Sequence, residues 1–308
     1  MTTLVATKNS TIVRNMRFAL LRAGFSFGSW LRPHATLRRA YALFCTPLSI
    51  TRRRALATDT GGAQLGALAV AGEQVSTYTW GDPSTQPYVL LSHGWSSHAT
   101  RFLPWIAPLR AAGYAIVGVD QVGHGRSSGR RSTLPDFAEV LAAVAARHGA
   151  CAAVIGHSLG GAASMLALAD GLQAARAILI APAADPIDAA SRFARFVGLD
   201  ERLGAHLFDE YEAQHPLRVA SLQAHLKAPA IARPALIVHD LGDREVPWAE
   251  GERYARHWPD ARLLTTTGLG HHRIVDDTGV IDAGLRFLRG ETVGDRVVSS
   301  PNLPYGFA

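Results

Sequence analysis

Two rhythms of apolar residues alternate along this chain. Short unbroken apolar runs at 88–92, 115–120, 152–155, 177–180 and 235–240 have the length and β-branched content of strands buried on both faces. A further run at 262–266 fits a strand of the same kind. Between them lie longer stretches with apolar or small residues at helical spacing, at about 100–112, 134–147, 161–166, 249–258 and 279–289. Strands that alternate with helices predict a mostly parallel sheet with helices on both faces, an α/β fold. Two earlier runs, 64–71 and 74–80, are separated only by a turn, so they are expected to pair antiparallel at one edge of the sheet.

The rhythm fails twice. Residues 183–233 contain no strand-like run; Phe193, Phe196, Val197, Leu199, Leu203, Leu207 and Phe208 are scattered among charges, and Pro186, Pro216, Pro229 and Pro234 punctuate the stretch. It reads as several short amphipathic helices inserted into the sheet pattern. Before residue 60 the chain is partly amphipathic but belongs to no strand-helix repeat. The expected organisation is therefore a basic helical arm (1–60), a core made of 61–183 and 233–290, a helical cap (184–232) and an irregular tail (291–308).

Charge sharpens the picture of the arm. The chain of 308 residues carries a net charge of +6. Residues 1–54 hold ten Lys and Arg and no Asp or Glu, which leaves 21 basic against 25 acidic residues beyond them. The body is thus mildly acidic, and nothing in it suggests a nucleic-acid partner. The arm could lie on an anionic membrane surface, imitate a transit peptide, or pack on the body. Met16 is an alternative start. Arginines at 14, 17, 22 and 32 interrupt the early apolar residues, so no stretch reaches the roughly 18 apolar residues of a membrane span. With no clean secretory signal either, the expected location is cytoplasmic, peripheral to a membrane if the arm binds one. Cys45 and Cys151 do not make a disulfide framework, and no Cys or His spacing suggests a metal site or a cofactor.

Chemistry concentrates at Gly156-His157-Ser158-Leu159-Gly160, which lies between a strand run and a small-residue helical run. That is the G-x-S-x-G nucleophile elbow in its strand-turn-helix setting. A serine hydroxyl needs a base within reach, and the base needs an orienting carboxylate. Past the serine the chain offers Asp243, beyond the strand at 235–240, and His271, which follows Gly268 and Gly270. Asp240 and, more remotely, Asp185 are rivals for the acid; His272 is the rival for the base. The backbone N–H groups of Leu159 and of Trp95, in His93-Gly94-Trp95, are candidate oxyanion donors. Trp95, His157, Phe193 and Phe196 are candidate pocket residues. Asp120 and His124, in the glycine-rich loop 120–127, read as structural, as do His93 and His157.

Four segments match in register a known pattern: His93-Gly94, the D-x-x-G-H-G-x-S run from Asp120 to Ser127, G-H-S-L-G-G from Gly156 to Gly161, and Gly270-His271. Over about residues 64–290 the chain resembles the α/β-hydrolase superfamily, in its serine-esterase and lipase-like branch. The resemblance implies an α/β-hydrolase fold, catalytic Ser158, Asp243 and His271, no cofactor, and a small-molecule ester as the partner. Serine at the elbow sets the chain apart from the dehalogenases and epoxide hydrolases, which carry aspartate there, and from the dienelactone hydrolases, which carry cysteine. The apolar cap suggests a hydrophobic acyl or alcohol group. A thioesterase or acyltransferase with the same residues is the nearest alternative; a hydrolase-fold binding protein without catalysis is the remote one. The chain departs from the pattern where the strand before the acid ends His239-Asp240 rather than His-Gly, and in its arginine-rich arm.

Overall fold

A computed structural model describes residues 2–297, with side chains from residue 16 onward. Eight strands form one sheet: β1 (Gln64–Val70), β2 (Glu73–Trp80), β3 (Tyr88–Ser92), β4 (Ala115–Val119), β5 (Cys151–His157), β6 (Ala174–Ile180), β7 (Ala235–Asp240) and β8 (Ala261–Thr266). Their spatial order is β1-β2-β4-β3-β5-β6-β7-β8. The hairpin β1–β2 is antiparallel and lies at one edge, β2 pairs antiparallel with β4, and every pairing from β4 to β8 is parallel. This is the α/β architecture that the alternation of runs predicts.

The unbroken apolar runs are unbroken because both faces of each central strand are covered. Val89, Leu91, Ile116, Ile155, Ile178, Ile180, Leu236 and Val238 share one buried cluster with Phe102, Trp105 and Phe287. The last two of these come from helices α4 (Leu103–Ala111) and α13 (Thr278–Leu288). The alternate residues Leu90, Val117, Val154, Leu179 and Ile237 are equally buried and, by the two-residue period of a strand, point to the other face. There α5 (Leu134–His148), α6 (Leu159–Ala169) and α11 (Trp248–His257) pack, α6 against β3, β5 and β6 and α11 against β7 and β8. The α4–α13 contact is close: a Cβ on Gly284 would stand 2.7 Å from the Trp105 ring.

The chain divides into two compact units. The sheet unit comprises residues 46–185 and 222 onward. It includes α3 (Ser49–Ala57), which the sequence groups with the arm: Leu48 N–H donates to Ser96 Oγ (3.0 Å) and Arg52 to the Gly129 carbonyl (3.2 Å). It also keeps both ends of the segment expected as the cap. Asp185 accepts from Arg253 (2.9 Å) and Gln223 (2.5 Å), and Ala184 N–H donates to Glu250 (2.7 Å). The short helix α10 (Ala224–Lys227) follows this tie. Of the expected tail, Asp295 makes an antiparallel bridge to Leu263; residues 298–308 lie outside the described residues.

The second unit joins residues up to 45 with 186–221. Helix α1 (Thr2–Leu31) ends before Pro33, the first residue of α2 (Pro33–Phe44). Proline there disfavours helical backbone at Arg32, whose φ of −142° and ψ of 65° lie outside the helical region, and starts the next helix with its own φ already set. These two helices pack against α7 (Pro186–Val197) and α8 (Glu201–Gly204); α9 (Asp209–Gln214) completes the unit. Phe25, Ala40, Ala190, Ala194, Val197, Leu199 and Leu207 form its core. At the end of α7, where helix carbonyls lack intrahelical partners, Arg22 donates to the carbonyls of Arg195 (2.8 Å) and Phe196, and Ser26 donates to that of Gly198 (2.9 Å). The arm is thus a structural partner of the inserted helices. Phe25 is 1% exposed at the centre of this contact. Phe25→Ala is expected to destabilise the unit by about 3 kcal/mol or more, the cost of emptying a buried aromatic site. Faster tryptic cleavage at Arg38 and Arg39 would report it; an unchanged cleavage rate would contradict the packing.

Candidate active site

The elbow is built by contact. Ser158, between β5 and α6, has φ 54° and ψ −121°, a strained conformation for a residue with a side chain. Its neighbours explain how the strain is held. A Cβ on Gly160 would stand 2.3 Å from the Ser92 carbonyl oxygen and 2.4 Å from that of His93. One on Gly156 would stand 2.4 Å from the Gly160 oxygen. Glycine at 160 lets the first turn of α6 press onto the end of β3, glycine at 156 lets the same turn lie against β5, and Ser158 N–H donates to the Ile180 carbonyl at 2.9 Å. The result leaves Ser158 only partly buried at the carboxyl edge of the sheet, with Leu159 opening α6. The first N–H groups of a helix have no intrahelical partner, so the Leu159 amide is available to an anion at that point.

The histidine arrives from the loop after β8, through α12 (Gly270–Arg273). Gly268 and Gly270 have φ of 79° and 65°, which turns the loop back over the sheet edge. His271 Nε2 lies 3.0 Å from Ser158 Oγ, and His271 Nδ1 lies 2.7 Å from Asp243 Oδ2. A carboxylate only accepts, so Nδ1 carries the proton and donates, which leaves Nε2 to accept from the serine hydroxyl. Asp243 Oδ1 accepts from the N–H groups of Glu245 (2.8 Å) and Val246 (2.9 Å). His239 Nε2, which donates to the Val246 carbonyl at 3.0 Å, is also 3.5 Å from Asp243 Oδ2. Burial would raise the pKa of Asp243, but the hydrogen bonds from His239 and His271, the His271 charge and the Val246 amide outweigh it and hold the carboxyl well below the usual range.

The rivals are placed elsewhere. Asp240 is buried and holds the histidine loop: it accepts from Leu269 N–H and Thr266 Oγ1 (both 2.9 Å) and from Gly242 N–H (2.9 Å). Asp185 is engaged with Gln223 and Arg253 as above. His272 is exposed and pairs with Glu245 at 2.8 Å.

Around this chain of hydrogen bonds lies a set of buried histidines that the sequence reads as structural without naming their partners. His93 Nε2 accepts from Gln121 N–H (3.0 Å), so its Nδ1 donates to the Gly94 carbonyl (2.7 Å). His124 Nε2 accepts from Ser96 N–H (3.1 Å), and its Nδ1 donates to the Val122 carbonyl (2.9 Å). Burial brings both imidazoles down to a pKa of about 3, so they are neutral at ordinary pH. Together they fix the strip 94–96. Because a trans peptide is planar, pinning the Gly94 carbonyl also sets the direction of the Trp95 N–H. That strip passes close to the nucleophile, since a Cβ on Gly94 would stand 3.0 Å from Ser158 Cβ. The Trp95 ring, half-buried, packs edge-on to His124 and stacks on Phe137. His157 Nε2 donates to the His271 carbonyl (2.9 Å), and their rings stand 4.8 Å apart. Burial, followed by the His271 charge, pushes the His157 pKa well below the ordinary value. Phe193 and Phe196 belong to the other unit, where Phe193 packs edge-on to Phe44 and Phe196 tilts against Phe18.

Nearby, Asp120 ties the loop 120–127 by accepting from Tyr78 OH (2.7 Å), Ala99 N–H (2.8 Å) and Arg126 N–H (2.7 Å). Burial raises the Cys151 thiol to about 12, which makes it an inert core residue.

Comparison with known proteins bears on the fold and on what the chain resembles. The profile of the family described as serine aminopeptidase, S33, matches residues 83–224. A monoacylglycerol lipase of Mycolicibacterium smegmatis is 34% identical over 102 residues, which are 30% of this chain and 36% of that protein. The chain therefore matches about a third of that relative's length. Among solved structures, a protein described as a lipase from Acinetobacter baumannii superposes with a TM-score of 0.59 at 20% identity, over 79% of this chain and 95% of that one. The esterase RhEst1 from Rhodococcus gives 0.55 at 22% identity, over 74% and 98%. At such identities the likeness to solved structures is one of fold. Sheet topology and these superpositions show an α/β-hydrolase fold. The segment 83–224, a little under half of the chain, resembles the serine aminopeptidase family, and the partly matching relative is a lipase.

The neutral histidines set the acid stability. His93, His124 and His157 bind protons in the unfolded chain below about pH 6.5 and in the folded chain only far lower. Unfolding free energy is therefore expected to fall as pH drops from about 6.5 towards 3, by up to about 1.4 kcal/mol per pH unit for each histidine. The loss from Asp243, whose pKa is depressed, begins only below about pH 4. Urea midpoints between about pH 8 and 5 test this; a midpoint independent of pH would refute it.

Proposed function

We propose that this protein hydrolyses carboxylic esters through an acyl-enzyme on Ser158. The observation that carries the reading is the continuous hydrogen-bonded path from Ser158 Oγ to His271 Nε2, and from His271 Nδ1 to Asp243. The path starts at a serine held at positive φ beside a helix N-terminus. The partial match to a monoacylglycerol lipase supports an ester as the substrate.

In this mechanism Ser158 Oγ attacks the acyl carbonyl carbon while His271 Nε2 takes its proton. The carbonyl oxygen becomes an oxyanion, and the amides of Leu159 and Trp95 stabilise it as charge develops. His271 returns the proton to the departing alkoxide, and the alcohol leaves an acyl-serine behind. Water then repeats the sequence, with His271 as base, and releases the acid and free Ser158. Asp243 keeps the Nδ1–H tautomer and stabilises imidazolium when it forms; its depressed pKa keeps it anionic throughout. The substrate proposed is a small ester with a hydrophobic acyl or alcohol group, a class that includes the monoacylglycerols named for the partly matching lipase.

The test is turnover of p-nitrophenyl esters from acetate to palmitate. The wild-type protein should cleave them, with a chain-length optimum that reports the acyl pocket, and Ser158→Ala should lose at least about 10³-fold in kcat. A Ser158→Ala protein with near-normal turnover would sink the mechanism. A wild-type protein that prefers acyl thioesters or passes the acyl group to an alcohol rather than water would move the reading to a thioesterase or acyltransferase. The two carboxylates should separate as well. Asp243→Asn should lower kcat by about 10²–10⁴-fold because it disturbs the histidine tautomer. Asp240→Asn, which weakens only the anchors of the histidine loop, should cost far less in kcat than in thermal stability. Equal kcat losses would show that the acid has been misassigned.

A further inference from the structure

Helix α1 has two apolar faces, and the fold uses one. At about 100° per residue, Phe18, Leu21 and Phe25 fall on one side of the helix. Those three belong to the packing against α2 and α7. Met16, Leu20, Phe27, Trp30 and Leu31 fall on the opposite side, within an arc of about 100°. These five are 57%, 66%, 62%, 78% and 54% exposed. An exposed stripe of this size on one helix marks an interaction surface rather than scattered surface apolarity.

Charge decides the occupant. The stripe lies in a segment, 1–54, with ten basic residues and no acidic one, and Arg17, Arg32 and Arg38 around it are exposed. A second copy docked through the same stripe would set two acid-free, arginine-rich helices against each other. An anionic phospholipid surface meets both properties at once: acyl chains take the apolar stripe and the headgroups take the arginines. Trp30, the most exposed of the five, has the amphipathic ring that favours this boundary. Among the described residues no helix is long and apolar enough to cross a membrane. We infer that α1 is an interfacial anchor whose outer face, from Met16 to Leu31, lies in the plane of an anionic bilayer while its inner face holds the inserted helices. The inference does not depend on the ester-hydrolase reading, because its test reads binding and not turnover.

The test is flotation of the full chain with vesicles of phosphatidylcholine alone, or with about a third phosphatidylglycerol, at low and high salt. Wild type should float with the anionic vesicles, and binding should fall at least tenfold on neutral vesicles. High salt should weaken it. The triple substitution Leu20→Gln, Phe27→Gln, Trp30→Gln should lose at least tenfold in partitioning. Since all three positions are exposed, its thermal melt and tryptic pattern should match wild type, which separates loss of the surface from loss of the fold. Arg17→Gln with Arg38→Gln should reduce the salt dependence. If the wild-type chain stays out of the anionic vesicle fraction, or if the folded triple variant floats as well as wild type, the anchor is refuted. A stripe-dependent dimer that persists with anionic vesicles present would assign the face to a second copy instead.

Discussion

The contact between the first turn of α6 and the end of β3 governs everything at the sheet edge. No side chain stands between them: the space where Gly160 would carry a Cβ is bounded by the carbonyl oxygens of Ser92 and His93. Backbone-to-backbone contact of this kind cannot be relieved by a rotamer change, so the position tolerates only glycine. Because the helix sits so close, the chain must leave β5 and enter α6 within one residue, and Ser158 absorbs the turn at φ 54°. The same approach places the strip at Gly94 beside the serine. A residue whose conformation is unfavourable in isolation is held there by contacts on both sides, which is how backbone strain persists in folded proteins.

Around the elbow, the buried histidines are held mainly through backbone carbonyls, while His157 Nδ1, His239 Nδ1 and Gln121 Oε1 have no hydrogen-bond partner among the described residues. His93, His124 and His239 each donate a ring N–H to a backbone carbonyl, and His157 donates to the carbonyl of His271 itself. Burial makes protonation unfavourable for His93, His124 and His157, so these rings act as neutral struts between loops and add no charge near the serine. The one strongly favoured charge in the group is Asp243, which two backbone amides and two histidines face. Electrostatic order at this edge comes from burying imidazoles neutral and the carboxylates of Asp240 and Asp243 ionised.

Much of this was legible in the sequence, for physical reasons that differ by element. Apolar runs such as 88–92 and 235–240 reveal central strands because both of their faces must be buried. The glycines at 156 and 160 reveal the elbow because no other residue fits. That the buried histidines are structural was legible, but their partners were not: His157 and His271 are 114 positions apart, and nothing local to either announces the other. The arm shows a similar limit. Its periodicity indicates that a face is buried but not against what, and its partner helices lie more than 150 residues further along. Nor could periodicity tell that α3 belongs with the sheet, since its ties are single hydrogen bonds to loops.

Asp240 and Asp243 show why residue type and spacing leave such choices open. Both are buried, both accept backbone N–H groups, and they stand three positions apart in one loop. Asp240 ends β7 and turns back to the strand's neighbour, where Thr266 and Leu269 fill its oxygens. Two backbone hydrogen bonds then close the loop, from Gly242 N–H to the Asp240 side chain and from Asp243 N–H to the Asp240 carbonyl. Asp243 is thereby carried to the imidazole with one oxygen committed to amides and the other free to face Nδ1. The departure from the usual His-Gly ending thus has a mechanical reading: Asp240 fixes the histidine loop from below while Asp243 meets the ring. An aspartate in place of glycine at the end of β7 couples the two loops that hold the base and its carboxylate, so that movement of either would strain the other.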